Sequence, residues 1–158
     1  MAVKSFFSND DFNKILTTYN LGTLQKFEPV MNGAVQTTYF LVTTVGKFIF
    51  RYYENRPTGS VLFESELIQF LNEHSYPCPT VFSNQQSERV GNYHGKPYLI
   101  FEFVEGEHLE HPTDAQKSQL IENVARLHNL TQNYTPAHHE DRWNYSVQLC
   151  RELAQSQA

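Results

Sequence analysis

The chain has 158 residues, 40% of them hydrophobic and 14% aromatic, a size and composition that fit one compact core. Its net charge of −5 and its isoelectric point near 5.8 disfavour nucleic acid and anionic membranes as main partners. The chain has two distant cysteines and no apolar run of membrane length, and Lys4 precedes any apolar run, so we expect a reducing, cytoplasmic location.

The first predicted elements are a helix and two strands. The helix begins at a Ser8 cap, ends at residues 20–22, and buries the apolar residues that recur at helical spacing: Phe12, Ile15, Leu16 and Tyr19. Strands follow over residues 23–30 and 38–45. The turn between them, residues 31–37, has one glycine and several small polar side chains. Such a turn can lay backbone N–H groups against a phosphate, although most turns of this kind only connect strands.

The next strand, residues 46–54, carries the first candidate for chemistry. Side chains on a strand alternate between faces, so Phe48, Phe50 and Tyr52 share one face while Ile49, Arg51 and Tyr53 share the other. Ile49 would offer an apolar platform to a base, and Arg51 a fixed cation to phosphate oxygens. A solvent-facing arginine on an edge strand is the alternative interpretation of the same pattern.

A second helix is predicted from near Val61 to the prolines at positions 77 and 79. Its apolar residues are expected to form a buried stripe of Leu62, Leu67, Ile68, Phe70 and Leu71. Its acidic residues are candidates to pair with a cation: Glu64, Glu66 and Glu73. A short strand at residues 81–82 and a hairpin of residues 90–93 and 97–103 follow.

The last third of the chain changes character. Residues 104–107 are irregular and favour a hinge, and a helix begins at the cap formed by residues 112–114. A further helix is indicated by Trp143, Val147, Leu149 and Leu153. Between the two helices lies the cluster His138-His139-Glu140-Asp141, either a metal site or a solvated loop. Adjacent loop residues rarely converge on one ion, so we prefer the solvated loop.

In this order the elements resemble the amino-terminal lobe of the protein-kinase-like fold, and in particular the aminoglycoside and choline phosphotransferase superfamily. Nearly the whole chain shares short strings with its homoserine kinase branch: Met1-Ala2-Val3, Tyr19-Asn20-Leu21-Gly22, residues 33–40, Tyr53-Glu54-Asn55-Arg56, Pro77-Cys78-Pro79, Gly95-Lys96-Pro97, Glu105-Gly106, Ala125-Arg126-Leu127-His128 and Arg142-Trp143-Asn144. The resemblance implies an α+β fold. Residues 1–103 would form a kinase-like N-terminal lobe with an antiparallel five-stranded sheet and a C-type helix. Residues 104–158 would form the hinge and one or two helices of an incomplete C-terminal lobe.

The resemblance also implies roles for individual residues. Arg51 matches the strand cation that holds the α- and β-phosphates, and Glu64 matches the helix glutamate that orients it, with Glu66 as the near alternative. The Glu102 carbonyl and the Val104 amide match the hinge groups that contact an adenine edge, with Phe101 behind them and Ile49 above. The phosphate-covering turn corresponds to Gly33, Ala34, Val35, Gln36, Thr37 and Thr38. The chain departs from the kinase pattern in having a single glycine in this turn and arginine instead of lysine at position 51. The arginine matters because a planar guanidinium can bind two phosphate oxygens at once but reaches them differently from an ammonium.

The implied function is the nucleotide-binding half of an ATP- and Mg²⁺-dependent small-molecule kinase, acting on the hydroxyl of homoserine in threonine biosynthesis. The superfamily places its catalytic carboxylate in a His-x-Asp segment and holds magnesium with a later aspartate. Here His139-Glu140-Asp141 and Asn144 lie too close together to match. We therefore expect no catalytic or metal-binding residue in this chain, and no phosphate transfer by it alone.

Two alternatives stay open: a kinase for another alcohol or amine, such as choline or an aminoglycoside, and a non-catalytic remnant or binding module. The expected partners are ATP and a small hydroxyl substrate, without nucleic acid or membrane. An apolar cleft face left exposed would also promote self-association.

Overall fold

The computed structural model describes residues 5–31, 35–107, 109–142 and 146–156. The expectations for Met1-Ala2-Val3, Gly33, Ala34 and Trp143 fall outside these residues. The helices are α1 (Asn9–Leu16), α2 (Thr58–Glu73), α3 (Asp114–Thr131) and α4 (Val147–Ser156), with a short 3-10 helix at His139–Asp141. The strands are β1 (Leu24–Pro29), β2 (Thr37–Thr43), β3 (Lys47–Tyr52), β4 (Gly91–Tyr93) and β5 (Lys96–Glu102).

The strands form one antiparallel five-stranded sheet in the order β1-β2-β3-β5-β4, which confirms the predicted sheet. The β4–β5 hairpin turns at His94 and Gly95, both with positive φ, as a two-residue hairpin turn requires. Lys96 therefore belongs to β5 and not to the turn. The short strand predicted at residues 81–82 is a single bridge between Val81 and Phe101.

The sheet packs a core on each face. On one face, the β3 residues Phe48, Phe50 and Tyr52 join the buried side chains of α1, including Phe12 and Ile15. On the other face, Leu99 and Phe101 of β5 pack with Tyr53 and with Val61 of α2. The predicted alternation along β3 is confirmed, and it places the two helices on opposite faces of the sheet.

Helix α1 begins as predicted and ends earlier than predicted. Ser8 and Asp11 form a capping box at its start. Its last residue is Leu16, not the expected 20–22 segment. The hydroxyls of Thr17 and Thr18 donate to the carbonyls of Lys14 and Ile15, at 2.6 and 2.8 Å, and so satisfy groups that another helical turn would have used.

The buried stripe predicted for α2 is largely wrong. Of the five apolar residues expected, only Leu71 is buried; the other buried residues of α2 are small, namely Ser60, Val61 and Ser65. Small side chains let this helix lie close to the sheet. The half-buried Phe63 and Leu67 instead line an open cavity of about 530 Å³ shared with Leu127 of α3 and with residues 134–142.

Helix α3 has the predicted cap, a capping box of Thr113 and Gln116. None of its residues is buried, and Leu120 and Ile121 are 63% and 69% exposed. Self-association through an exposed apolar cleft face stays a prediction, as does the division of the chain at residue 103. Among the helices that the structure describes, none is long and apolar enough to cross a membrane.

Candidate functional site

Arg51 lies on the face of β3 that α2 covers, between Thr38 of β2 and Leu99 of β5. Its guanidinium carbon is 4.9 Å from the centre of the Phe101 ring, a cation–π geometry. Its Nη1 is 3.4 Å from Oε1 of Glu64, and its side chain is 40% exposed. The cation is thus held on two sides and still faces solvent with part of its fork.

Glu64 is the acceptor at which three donors meet. Besides Arg51, the Tyr53 hydroxyl donates to Oε1 at 2.7 Å, and Arg56 Nη1 donates to Oε2 at 3.1 Å. Burial, together with the Glu64 carboxylate, raises the pKa of Tyr53 far above its usual range, so this hydroxyl remains a donor. The predicted approach of Arg51 and Glu64 is confirmed as a contact. Its role toward a nucleotide stays a prediction.

The alternative partner, Glu66, is engaged elsewhere. Its carboxylate accepts from the backbone N–H of His138 at 3.1 Å and contacts Nδ1 of the same residue. Residues 64 and 66 lie about 200° apart around a helix, so their side chains point to opposite sides of α2. The structure therefore selects Glu64 as the residue beside Arg51.

An apolar patch adjoins Arg51 on the same side of the sheet. Ile49 of β3 is half-buried and pairs with Phe101 of β5, and its contact with adenine stays a prediction. Phe40 lies opposite Ile49 on β2, and its ring is 5.0 Å from that of Phe103. The sequence analysis missed Phe40 and Phe103. Alternation from Thr38 along β2 would have placed Phe40 on the Arg51 side.

The proposed hinge begins where β5 ends. The backbone N–H of Glu102 donates to the Thr80 carbonyl at 2.8 Å, and its Oε2 accepts from the Thr80 N–H at 3.2 Å. Val104 is 60% exposed. Glu102 is therefore fixed against the segment before β4, while Val104 is accessible. Their adenine contacts stay predictions.

The described part of the turn between β1 and β2 is hydrogen-bonded to Glu54, whose carboxylate is buried. Gln36 Oε1 accepts from the Glu54 N–H at 3.0 Å, and the Thr37 hydroxyl donates to Glu54 Oε1 at 2.6 Å. Val35 is exposed and Thr38 half-buried. The side chains of Gln36 and Thr37 are thus engaged with the protein, so only their backbone groups would serve the phosphate role expected of the turn.

Glu54 is a residue that the sequence analysis missed. Its side chain is 2% exposed, and it also accepts from Ser5 and from Lys96, whose Nζ lies 2.7 Å away. Burial alone would raise the pKa of Glu54, but the hydrogen bonds from Lys96, Thr37 and Ser5 outweigh it and leave the pKa below its ordinary value. A carboxylate after a strand usually faces water, so no local signal marked it.

In the cluster at residues 138–141, His139, Glu140 and Asp141 are exposed, as predicted for a solvated loop, but His138 is half-buried. His138 contacts Glu66, and a Cβ on Gly59 would come within 2.4 Å of Asp141, so the Asp141 carboxylate lies against the first turn of α2. Within the described ranges, no three His, Cys, Asp or Glu side chains are grouped as metal ligands. Asp141 therefore packs against α2 and does not belong to a described group of metal ligands.

Comparison with known proteins shows the family of the chain. Residues 26–158 match the family model described as phosphotransferase enzyme family. The homoserine kinase of Bartonella tribocorum is 30% identical to the chain over 136 residues, which are 85% of this chain and 43% of that protein. The chain spans less than half the length of the curated relatives it matches.

Two solved structures share the fold. Spectinomycin phosphotransferase, solved with ADP and spectinomycin, superposes with a TM-score of 0.69 at 9% identity, over 93% of this chain and 45% of that one. Amicoumacin kinase, solved with AMP-PNP and Ca²⁺, gives 0.66 at 17% identity, over 84% and 42% of the two chains. With the sheet described above, these likenesses confirm the predicted amino-terminal lobe of a protein-kinase-like fold.

Proposed function

Because the chain belongs to the phosphotransferase enzyme family, we propose that it supplies the nucleotide-binding groups of an ATP-dependent kinase for a small hydroxyl compound, with homoserine as the substrate. The observation that carries the proposal is the Arg51 guanidinium, held between the Phe101 ring and the Glu64 carboxylate beside an apolar patch. That arrangement offers a phosphate cation and a base platform on one side of one sheet.

Arg51 is suited to phosphate because a planar guanidinium donates two parallel hydrogen bonds to a pair of oxygens. A partly exposed ion pair such as Arg51–Glu64 contributes only about 0–1 kcal/mol to stability. Its value lies in orientation: Glu64 and Phe101 fix the guanidinium before a ligand arrives, which lowers the entropic cost of binding.

The base would lie against Ile49, with Phe40 and Phe103 extending the platform and the backbone of residues 102–104 at its edge. The described residues provide no ligand set for Mg²⁺, since Glu64 and Glu66 are already engaged. We accordingly assign magnesium no residue in this chain. We also propose that the 158 residues alone transfer no phosphate, because His139-Glu140-Asp141 and Asn144 do not have the spacing of the catalytic and metal-binding segments that the family resemblance implies.

Calorimetric titration of the chain with AMP-PNP tests the binding role. We expect Arg51→Ala to weaken binding by about tenfold or more, because it removes charge-assisted hydrogen bonds to phosphate, with little change in melting temperature. Arg151→Ala, the same change at an exposed position on α4, is the matched control and should bind normally. Equal affinities for the wild type and Arg51→Ala would remove Arg51 from the site.

The base platform has its own test. Ile49→Trp should narrow the slot and weaken AMP-PNP binding, and Val104→Pro should weaken it by deleting the proposed N–H donor. Retained affinity in Ile49→Trp would place the base elsewhere.

Substrate choice is tested by ADP release with homoserine, choline and aminoglycosides, for the chain and for any longer product of the same gene. We expect release from a longer product to depend on homoserine, and none from the chain alone. Dependence on choline or an aminoglycoside would replace homoserine, and homoserine-dependent release by the 158 residues would refute the assignment of the chemistry to other residues.

A further inference from the structure

We propose that residues 134–141 form a clamp on α2 that fixes the Glu64 carboxylate, and through it Arg51, so that Glu66, Tyr134, His138 and Asp141 are positioning residues for the nucleotide site. This inference rests on the function proposed above for Arg51. It concerns residues that take no part in holding the ligand themselves.

The first grip is at the middle of α2. The Glu66 carboxylate accepts the backbone N–H of His138 at 3.1 Å and contacts its imidazole, while the Tyr134 hydroxyl donates to the Glu66 carbonyl at 3.2 Å. The Tyr134 ring stacks on Phe70, one turn further along, with ring centres 3.8 Å apart. These polar and aromatic contacts thus fix both the rotation of α2 about its axis and its position along that axis.

The second grip is at the amino-terminal end of α2. The residue before the helix is Pro57, which caps no N–H group with its side chain, and the first turn contains no acidic residue. A helix start favours a nearby negative charge because unpaired N–H groups point out of it. The Asp141 carboxylate lies against Gly59 in that first turn, where a larger side chain would collide with it. Asp141, which is distant in sequence, therefore supplies the negative charge that the first turn of α2 lacks.

The face of α2 toward the sheet explains why such grips matter. Its buried residues are Leu71, near the carboxyl end, and three small residues: Ser60, Val61 and Ser65. These small side chains bury little apolar area and interlock weakly, so the sheet alone restrains sliding less than leucine or phenylalanine would. Glu64 and Glu66 hold the helix on opposite sides, one toward β3 and the other toward residues 134–141. The distance between Arg51 Nη1 and Glu64 Oε1 is already 3.4 Å. It lengthens when the contacts of Glu66 with residues 134–141 are lost.

Glu66→Ala is the test variant, since alanine is the best helix former and any loosening is not due to helix propensity. Glu73→Ala, the same change in the last turn of α2, is the matched control. Hydrogen exchange of the α2 amides should quicken in Glu66→Ala and not in Glu73→Ala, and Glu66→Gln, which keeps an acceptor oxygen, should restore most of the protection. Unchanged exchange in Glu66→Ala would overturn the clamp.

A double-mutant cycle separates positioning from general loosening. Glu66→Ala should weaken AMP-PNP binding by about threefold to tenfold in the wild type, and by much less in a Glu64→Gln background, because the clamp acts through that carboxylate. Equal losses in both backgrounds would refute action through Glu64. If the wild type does not bind AMP-PNP, the proposed function fails, and the exchange experiment alone decides whether the clamp exists.

Discussion

Burial of apolar side chains differs between two regions of the molecule. One is the sheet with its two helices, residues 5–103, and the other is the helical part, residues 109–156. Every buried hydrophobic residue in the described part of the chain lies in the range from Phe7 to Phe101. Helix α3 also carries apolar side chains at helical spacing, yet Leu120 and Ile121 among them are mostly exposed. An amphipathic pattern therefore tells which face of a helix will be apolar, and it does not tell whether this chain covers that face.

The contrast predicts unequal responses to truncation of large side chains. Phe50→Ala empties a fully buried position and should lower the free energy of unfolding by about 3–5 kcal/mol. Ile121→Ala removes an exposed side chain and should change it by less than about 0.5 kcal/mol. Urea unfolding of dilute protein measures both. A large loss in Ile121→Ala would mean that α3 is covered in solution.

A smaller loss is expected at the carboxylate that joins the amino-terminal segment, the turn and the β4–β5 hairpin. Glu54→Gln keeps the shape but removes the charge that Lys96, Thr37 and Ser5 donate to, and should cost about 2 kcal/mol. The exposed pair of Lys26 and Glu28 on β1 is the control, since Glu28→Gln should cost almost nothing. Similar melting temperatures for the two variants would show that Glu54 contributes no more than a surface charge.

Acid should lower the stability of residues 5–103 by protonating Asp11. Hydrogen bonds from Tyr93 and Ser8 lower the pKa of Asp11 to about 2. A depressed carboxyl pKa adds stability above the unfolded value near 3.8, and that stability is lost as the pH falls from about 4 toward 2. Tyr93→Phe should reduce the slope of melting temperature against pH in that window. An unaltered slope would assign the acid sensitivity to other carboxyls.

The smallest effect is expected at Tyr19, which is 4% exposed and whose hydroxyl has no hydrogen-bond partner among the described atoms. Tyr19→Phe removes the cost of burying that group and should leave the melting temperature unchanged or slightly raised. Tyr52→Phe is the control, because the Tyr52 hydroxyl donates to the Tyr93 carbonyl at 2.9 Å and its loss should destabilise. A clear loss in Tyr19→Phe would reveal a partner such as a buried water.

The sequence predicted the elements better than it predicted their contacts. The sheet followed from the two-residue alternation of large side chains, and the Arg51–Glu64 contact followed from a strand and a helix of known order. The buried face of α2 did not, because hydropathy favours Leu62 and Leu67 while close packing on the sheet selects Val61 and Ser65. Likewise, the cluster at residues 138–141 was expected to be solvated throughout, whereas His138 is half-buried and contacts Glu66.

The order of the strands has a consequence for how the chain folds. Strands β1, β2 and β3 are consecutive neighbours, so each pair closes only a short loop. Strand β5 joins β3 across the whole of α2, as in the pairing of Tyr52 with Tyr98, and this closure costs more chain entropy. We expect the three-strand meander to form first and the β3–β5 pairing to limit the rate. The face that carries Arg51 would then be completed last, when β5 brings Phe101 beneath it.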